Sequence, residues 1–512
     1  MTSVATALAV AAFVVAVPAG AQATDAVESI RSEGLERSQL TVLAQQLLDS
    51  IGPRLTGSPG HVRANDWAVR TYRAWGVPVR MEQYGTWRSW DRGTLHADLI
   101  SPRTRSIEAT LLTWSIGTDG PVEGEVLLFP EITDRDAFEA WLPQARGKFI
   151  AVSPPEPSCR PDESWSTFAL PDVAERMRRE RIAARQAWTS RVRAPVLSGR
   201  SLLQRLSDAG ALGAISASLW PRGWGVTKPG SAATDRLMEI GLGCEDYGLV
   251  FRLAERNQRP VLRVNATARF LGEVPVHNVI AEMRGRQRPN EYVVLSAHFD
   301  SWDAASGATD NGTGTLAVME AMRILKAVYP NPRRTIIAGH WSGEEQGLNG
   351  SSAFAADHPQ VVSGLQALFN HDNGTGRIRS ISTSGFTAAG DFFRRWLARM
   401  PDSLTAGIAI SNPPRPEMGT DHFAFACHGA PAFNVMSVEW DYITYTWHTD
   451  RDTYDKLVFD DLKRTATVLA MLAYLASEEP ERMPRERVTR VNPVTGQPIA
   501  WPSCLTPQRA AP

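Results

Sequence analysis

The sequence predicts an α/β protein with a mixed, mainly parallel sheet sandwiched by helices and interrupted by an inserted unit. Three observations lead there. From Val276 onward, strand and helix candidates alternate along the chain. The strand candidates are near-continuous apolar runs, such as YVVLSA (292–297) and TIIAG (335–339), as expected of strands covered on both faces. Between about 118 and 265 the pattern changes to short strands separated by Gly- and Pro-rich connections.

Taken in order, Ile30–Ser50 reads as one helix, and IGPRLTGSPG (51–60) as a loop full of chain breakers. His61–Trp75 reads as a helix stopped by Gly76, and Val77–Gln83 and Leu95–Ile100 as two strands. In the middle segment Glu125–Phe129, Lys148–Val152 and Gly213–Ala217 are strands. Ala174–Arg193 is an Arg-rich helix there, either a solvated face or a lid over a site. Beyond it, strands Val279–Met283, Tyr292–Ala297, Arg334–Gly339, Leu365–Asn370 and Ala432–Val435 alternate with helices Gly312–Lys326, Leu348–Asp357, Ala388–Met400 and Asp460–Ser477. The tail from Glu478 is polar and Pro-rich, a surface strap.

Composition narrows the function classes. The chain has 512 residues, 43% hydrophobic and 21% charged, which excludes a disordered tail, a collagen and a polytopic membrane protein. At roughly 150 residues per domain it holds about three units. The net charge of −1 gives no basic field for nucleic acid. Basic residues are almost all Arg; the Lys residues are 148, 228, 326, 456 and 463. Val4–Val17 is an almost wholly apolar run followed by Pro18 and the small-x-small triplet Ala21-Gln22-Ala23. It reads as a signal peptide over 1–23 and an exported chain, periplasmic or extracellular, although no Lys or Arg precedes the run. It is too short for a stable membrane span, which takes about 20 residues. Cys159, Cys244, Cys427 and Cys504 form no CxxC. They are either free thiols or disulfides, nearest pairing by domain giving Cys159–Cys244 and Cys427–Cys504.

In an open α/β sheet, ligands bind beyond the carboxyl ends of the strands. After YVVLSA come His298 and Asp300; after RTIIAGHWSG come Glu344 and Glu345; after LQALFN come His371 and Asp372. Asp310 stands at the start of helix Gly312–Lys326, and His448 lies in TWHTDRDTYDKL. Each group alone is weak, since an acidic pair is usually solvated and an Asp before a helix usually caps it. Together, every strand end supplies a metal-competent group. Asp310, Glu344, Glu345 and Asp372 bring four negative charges into one cleft, which two divalent cations balance. Imidazole and carboxylate ligands suit Zn²⁺, with Co²⁺ or Mn²⁺ chemically allowed. Other hydrolytic logic fails: the chain has no HExxH, and in GHWSG (339–343) Ser342 stands one place too late for a nucleophile elbow.

These residues resemble the dinuclear zinc exopeptidases of metallopeptidase family twenty-eight, which include aminopeptidase Y-like enzymes, carboxypeptidase Q and glutamate carboxypeptidase. The matching stretches are IGPRLTGSPG (51–60), LSAHFDSWD (295–303), GATDNGTGT (307–315), WSGEEQGLNGS (341–351), NHDNG (370–374), GTDHFAFACHGAPAF (419–433) and WHTDRDTYDKL (447–457). The resemblance implies the zinc exopeptidase, phosphorylase/hydrolase-like fold. It divides the chain into a signal peptide (1–23), a peptidase domain in two parts (24–117 and 266–480), an inserted, mainly-β protease-associated-like domain (118–265) and a tail (481–512). It implies two Zn²⁺ ions, one held by His298 and Asp372, the other by Glu345 and His448, with Asp310 bridging. Glu344 would be the general base, taking a proton from a metal-bridged water and giving it to the leaving amine. Asp300 would orient His298 from behind, while Asp452 more simply caps a turn. His422 and Tyr445 are candidates for the substrate side. Many relatives carry a Tyr just before the last His; here Trp447 stands there, leaving Tyr445, Tyr442 or a zinc to stabilise the oxyanion. His371 is a competitor to Asp372 as ligand.

The expected activity is therefore hydrolysis of short peptides or dipeptides. Ser301-Trp302 tips the resemblance towards a carboxypeptidase Q-like enzyme, with an aminopeptidase as the alternative. A receptor-like binding protein with dead chemistry on the same fold would lack ligands, and a glutaminyl cyclase-like transferase would use one zinc. Partners reduce to the peptide substrate, without nucleic acid, and a homodimer is left open.

Overall fold

The apolar runs of the carboxyl-terminal half become the centre of a large sheet. The computed structural model describes residues 19–132, 134–192, 199–217, 225–228, 230–491 and 495–511. Strands Arg334–Trp341, Arg288–His298, Leu365–His371 and Ala432–Ser437 lie side by side in that order, all parallel. Every residue of Arg334–Trp341 and of Leu365–His371 is buried, which is why their sequences show no alternation. Strand Ile378–Ser382 runs antiparallel to Ala432–Ser437, and Val261–Met283 antiparallel to Arg334–Trp341, so the sheet is mixed at both flanks. Helices Ala19–Glu36, Thr313–Val328 and Phe459–Glu478 pack on one another, and Pro59–Ala74 packs on Val79–Ser101 and Val261–Met283. This is the α/β architecture expected.

Three elements differ from expectation. The helix expected over Ile30–Ser50 is broken between Glu36 and Leu40. There the Ser38 hydroxyl accepts from the Leu40 N–H and buried Glu320 accepts from the Gln39 N–H, so side chains take donors a continuous helix would have used. The strands expected at Val77–Gln83 and Leu95–Ile100 are one strand, Val79–Ser101. Its middle, YGTWRSWDRGT, looks turn-like in sequence, but Tyr84, Trp87 and Trp90 are buried while Arg88 and Arg92 are not. The segment pairs with Val261–Met283 through bulges at Gln83/Gly85, Ser89/Trp90 and Arg92/Leu95.

The third difference is the middle segment, expected to be mainly β. Strands Val122–Leu128, Phe149–Ala151, Gly213–Ala217 and Met238–Leu242 pair parallel in sequence order. Parallel neighbours need crossovers, and helices such as Arg135–Trp141, Pro171–Val192 and Gly199–Asp208 supply length for them. Helix therefore outweighs strand here, Pro171–Val192 alone being 22 residues long. This sheet is not closed off from the first. Val122–Leu128 pairs with the start of Val261–Met283, whose other end belongs to the main sheet. Cys159–Cys244 and Cys427–Cys504 are disulfides. The apolar run Val4–Val17 lies outside the described residues, and Ala21-Gln22-Ala23 falls within helix Ala19–Glu36. No helix among the described residues is long and apolar enough to cross a membrane.

Candidate metal centre

Three neighbouring parallel strands end at one edge of the sheet. His298 closes Arg288–His298, Glu344 and Glu345 follow Arg334–Trp341, and Asp372 follows Leu365–His371. Asp310 enters from the turn Ala308–Gly312 ahead of helix Thr313–Val328, at non-helical φ −133° and ψ 92°. His448 follows the turn Tyr442–Thr446 at φ +59°. A non-glycine residue in that region is strained and persists only where its surroundings fix it. Here the Trp447 ring stacks on the His448 imidazole at 4.2 Å, and Trp302 lies at 5.9 Å.

Four of these side chains, His298, Asp372, Glu345 and His448, meet around Asp310. His298 Nε2 lies 3.2 Å from Asp310 Oδ1 and 3.1 Å from Asp372 Oδ1. His448 Nε2 lies 2.9 Å from both Asp310 Oδ2 and Glu345 Oε2. Within each trio the donor atoms lie within 4.8 Å of one another, and Asp310 offers one oxygen to each. A ring nitrogen carries one proton at most and cannot serve two carboxylates equally. The donors instead converge on a common point, as cation ligands do. His298 Nδ1 is 3.0 Å from the Asp300 carbonyl oxygen, which only accepts. Nδ1 therefore carries the proton and Nε2 turns its lone pair inward, the tautomer a metal requires. Glu345 Oε1 is buried without a hydrogen-bond partner, so the residues fit two cations sharing Asp310.

Charge crowding shifts the site's acidities. Burial pushes the Glu344 carboxyl well up, and Asp372, Asp421 and Glu345 add to it. Burial opposes protonation of His448, but Glu345 and Asp310 overcome it and hold the imidazole at about 10. Burial likewise opposes ionisation of Asp310, and the two imidazoles more than offset it, holding its pKa below the usual carboxylate range.

Distant segments hold these side chains. The Asp300 carboxylate accepts from the Thr56 hydroxyl at 3.0 Å and from the backbone N–H groups of Glu344 and Glu345 at 3.2 and 3.3 Å. It thus fixes the Glu344–Glu345 turn, while its carbonyl orients His298. Arg54, fully buried, donates to the carbonyls of Phe299, Ser306 and Gly307 at 2.8, 2.6 and 2.9 Å. Asp452 accepts from Thr309 N at 2.7 Å, Thr309 Oγ1 at 2.8 Å and Asp310 N at 3.0 Å. The turn it caps is not its own but the one presenting Asp310.

The remaining residues named from sequence separate. His371 is buried, 3.2 Å from the Val435 carbonyl through Nδ1, and outside both trios; burial lowers its pKa. His422 is buried with its Nε2 3.5 Å from Glu417. Tyr445 is half-buried. Tyr442 is buried, its phenol pushed well up by burial and by the fields of Asp310, Asp372 and Glu345. Sequence reasoning missed Asp421, buried beside the quoted His422 and pushed up to about 7 by burial. It also missed Lys228, which sits in no motif. A cavity of about 650 Å³ opens on Glu345 and His448 and is walled by Trp87, Trp114, Trp302 and Lys228.

Residues 278–473 match the model of peptidase family M28. Carboxypeptidase Q of Bos taurus is 25% identical over 445 residues, covering 86% of this chain and 85% of its own. Leucine aminopeptidase 1 of Coccidioides posadasii is 29% identical over 216 residues, 38% of this chain and 55% of its own. Among solved structures, the peptidase M28 precursor of Shewanella amazonensis superposes with a TM-score of 0.67 at 22% identity, over 91% of this chain and 98% of that one. The zinc aminopeptidase of Bacillus subtilis gives 0.53 at 16%, over 90% and 97%; at these identities both report the fold. The motifs that converge on one sheet edge thus lie largely within residues 278–473, the part of the chain that matches peptidase family M28.

Proposed function

We propose that this protein is an exported zinc-dependent exopeptidase of short peptides, its centre built by His298 and Asp372 on one side, Glu345 and His448 on the other, and Asp310 between. The observation that carries this is the pair of donor trios sharing Asp310. A pair of zinc ions bound there supplies Lewis-acid polarisation of the scissile carbonyl and a water of lowered pKa. The chain's own groups do the rest. Glu344 stands beside the trios without belonging to either. Its buried carboxylate has a raised proton affinity, so it can take a proton from water and return it to the leaving amine. The Asp300 carboxylate positions that base through the Glu344 N–H. Asp452 positions Asp310, and Tyr442 is a buried phenol in the fields of Asp310, Asp372 and Glu345.

Two disulfides and the apolar run Val4–Val17 support an oxidising, exported location. Carboxypeptidase Q, aligned over 86% of this chain, supports exopeptidase activity. A single test addresses the base. In Glu344→Gln, zinc content by atomic emission should be unchanged while dipeptide hydrolysis falls about 10²–10⁴-fold, the range of general acid–base catalysis. Full activity in that variant would remove Glu344 from the role. Loss of zinc would place it among the ligands instead.

A further inference from the structure

We propose that Lys228, from the inserted segment, is the receptor for the free carboxylate of the substrate's C-terminal residue, which makes this enzyme selective for unblocked carboxyl termini. The proposal rests on the peptidase reading for what occupies the cavity, and on Lys228 itself for how it is held.

Of the described residues walling the cavity, Lys228 and Arg88 carry the Lys and Arg cations and Glu345 the carboxylate. Arg88 is engaged: its guanidinium is 3.4 Å from Asp235 and lies over the Phe270 ring at 5.1 Å. Glu345 belongs to the donor trio with His448 and Asp310. Among the described residues of the wall, that leaves no free anion to receive a substrate's amino group and Lys228 to receive its carboxylate. Among the described residues no carboxylate lies within 4.0 Å of the Lys228 ammonium. Its Nζ stands 3.7 Å above the centre of the Trp447 ring, the same ring that stacks on His448. A cation–π contact orients an ammonium without using up its three N–H donors. A half-buried, unpaired cation is costly until an anion arrives.

The lysine is also fixed relative to the centre. Its loop is bonded to the loop that carries His448: Thr227 N donates to Asp450 Oδ1 at 2.8 Å, and Asp450 N returns to the Thr227 carbonyl at 3.0 Å. Arg451 Nε donates to the Gly225 carbonyl at 3.0 Å. A carboxylate held by Lys228 is therefore registered against the centre through Trp447 and His448. Trp87, Trp114 and Trp302 wall the space beside it, and the Trp302 indole N–H is buried and unpartnered. An apolar side chain next to the carboxylate suits that wall.

The test uses the zinc-loaded full chain carrying Glu344→Gln, so that binding is read without turnover. It is titrated calorimetrically with alanyl-phenylalanine and with alanyl-phenylalanine amide. The free acid should bind at least tenfold tighter than the amide. Lys228→Met in the same background should erase that ratio, and Lys228→Arg should keep most of it, with zinc content and circular dichroism matching the parent in both. Equal binding of acid and amide, or a ratio that survives Lys228→Met, overturns the assignment. Turnover by the unmodified enzyme is read separately. A Lys228-dependent preference without hydrolysis upholds Lys228 and removes the peptidase reading. Hydrolysis without any preference removes Lys228 and keeps the peptidase.

Discussion

Asp452 takes three hydrogen bonds from the turn that presents Asp310, across 142 and 143 residues of sequence. Nothing in HTDRDT announces this, because the partners are backbone and hydroxyl donors on another loop. Of the residues placed at the centre, His298, Glu344, Glu345 and Asp372 were legible for the opposite reason. A His, Asp or Glu directly after a buried parallel strand must emerge at the ligand-binding edge, whatever its long-range neighbours. Lys228 was illegible because its place depends on a loop-to-loop clamp that no periodicity reports. Asp452→Asn turns an acceptor of three bonds into a group with a competing N–H₂, and leaves Asp310 poorly held. Zinc affinity, measured by chelator competition, should fall about 10–100-fold, as for losses behind a metal ligand. An unchanged affinity would show that the turn holds without it.

At the scale of elements, helices and strands were readable where apolar runs are unbroken, and misread where bulges or side-chain caps intervene. Strand Val79–Ser101 was split because Gly85 and Gly93 mimic turns in a segment that its partner strand keeps extended. The break after Glu36 depends on Glu320, far along the chain. One contact between elements predicts a pH dependence. Tyr72, on helix Pro59–Ala74, lies 2.7 Å through its hydroxyl from Nε2 of His340, on strand Arg334–Trp341. Burial lowers the His340 pKa from 6.5 to about 3, so the folded protein keeps the ring neutral while the unfolded chain protonates it. Its stabilising contribution is complete above pH 6.5 and is lost as pH falls from 6.5 towards 3. Melting temperatures recorded in chelator should therefore drop across that interval, and His340→Gln should flatten the drop. An identical slope in the variant would assign the acid limb to other groups.

Across the whole molecule, the tail is more than a surface strap. Cys504 ties it to Cys427, Gln508 N donates to Asn349 Oδ1 at 2.8 Å, and the Arg509 carbonyl accepts from Thr86 N at 2.8 Å. Gln508 and Ala511 then form part of the cavity wall. The disulfide closes a separation of 77 residues, so Cys427→Ser with Cys504→Ser should cost about 2–5 kcal/mol in reversible unfolding. The same variant should raise KM more than it lowers kcat, because the wall loosens while the centre stays intact. A kcat loss alone would contradict that division.

Composition gave no hint of the tail's docking, just as it gave none of the middle segment's helical content. The way that segment is attached has a consequence of its own. Strands Val79–Ser101 and Val261–Met283 form one two-stranded ribbon, and Ser101 faces Val261 across it. The chain thus leaves and returns at a single rung, and residues 102–260 are topologically an ornament on a hairpin. A short turn joining that rung would close the ribbon without moving the strands beneath His298, Glu345 or Asp372. The excision would take Lys228 with it. It would also remove Gly225 and Thr227, which clamp the loop of His448, so the ornament braces the centre as well as walling the cavity.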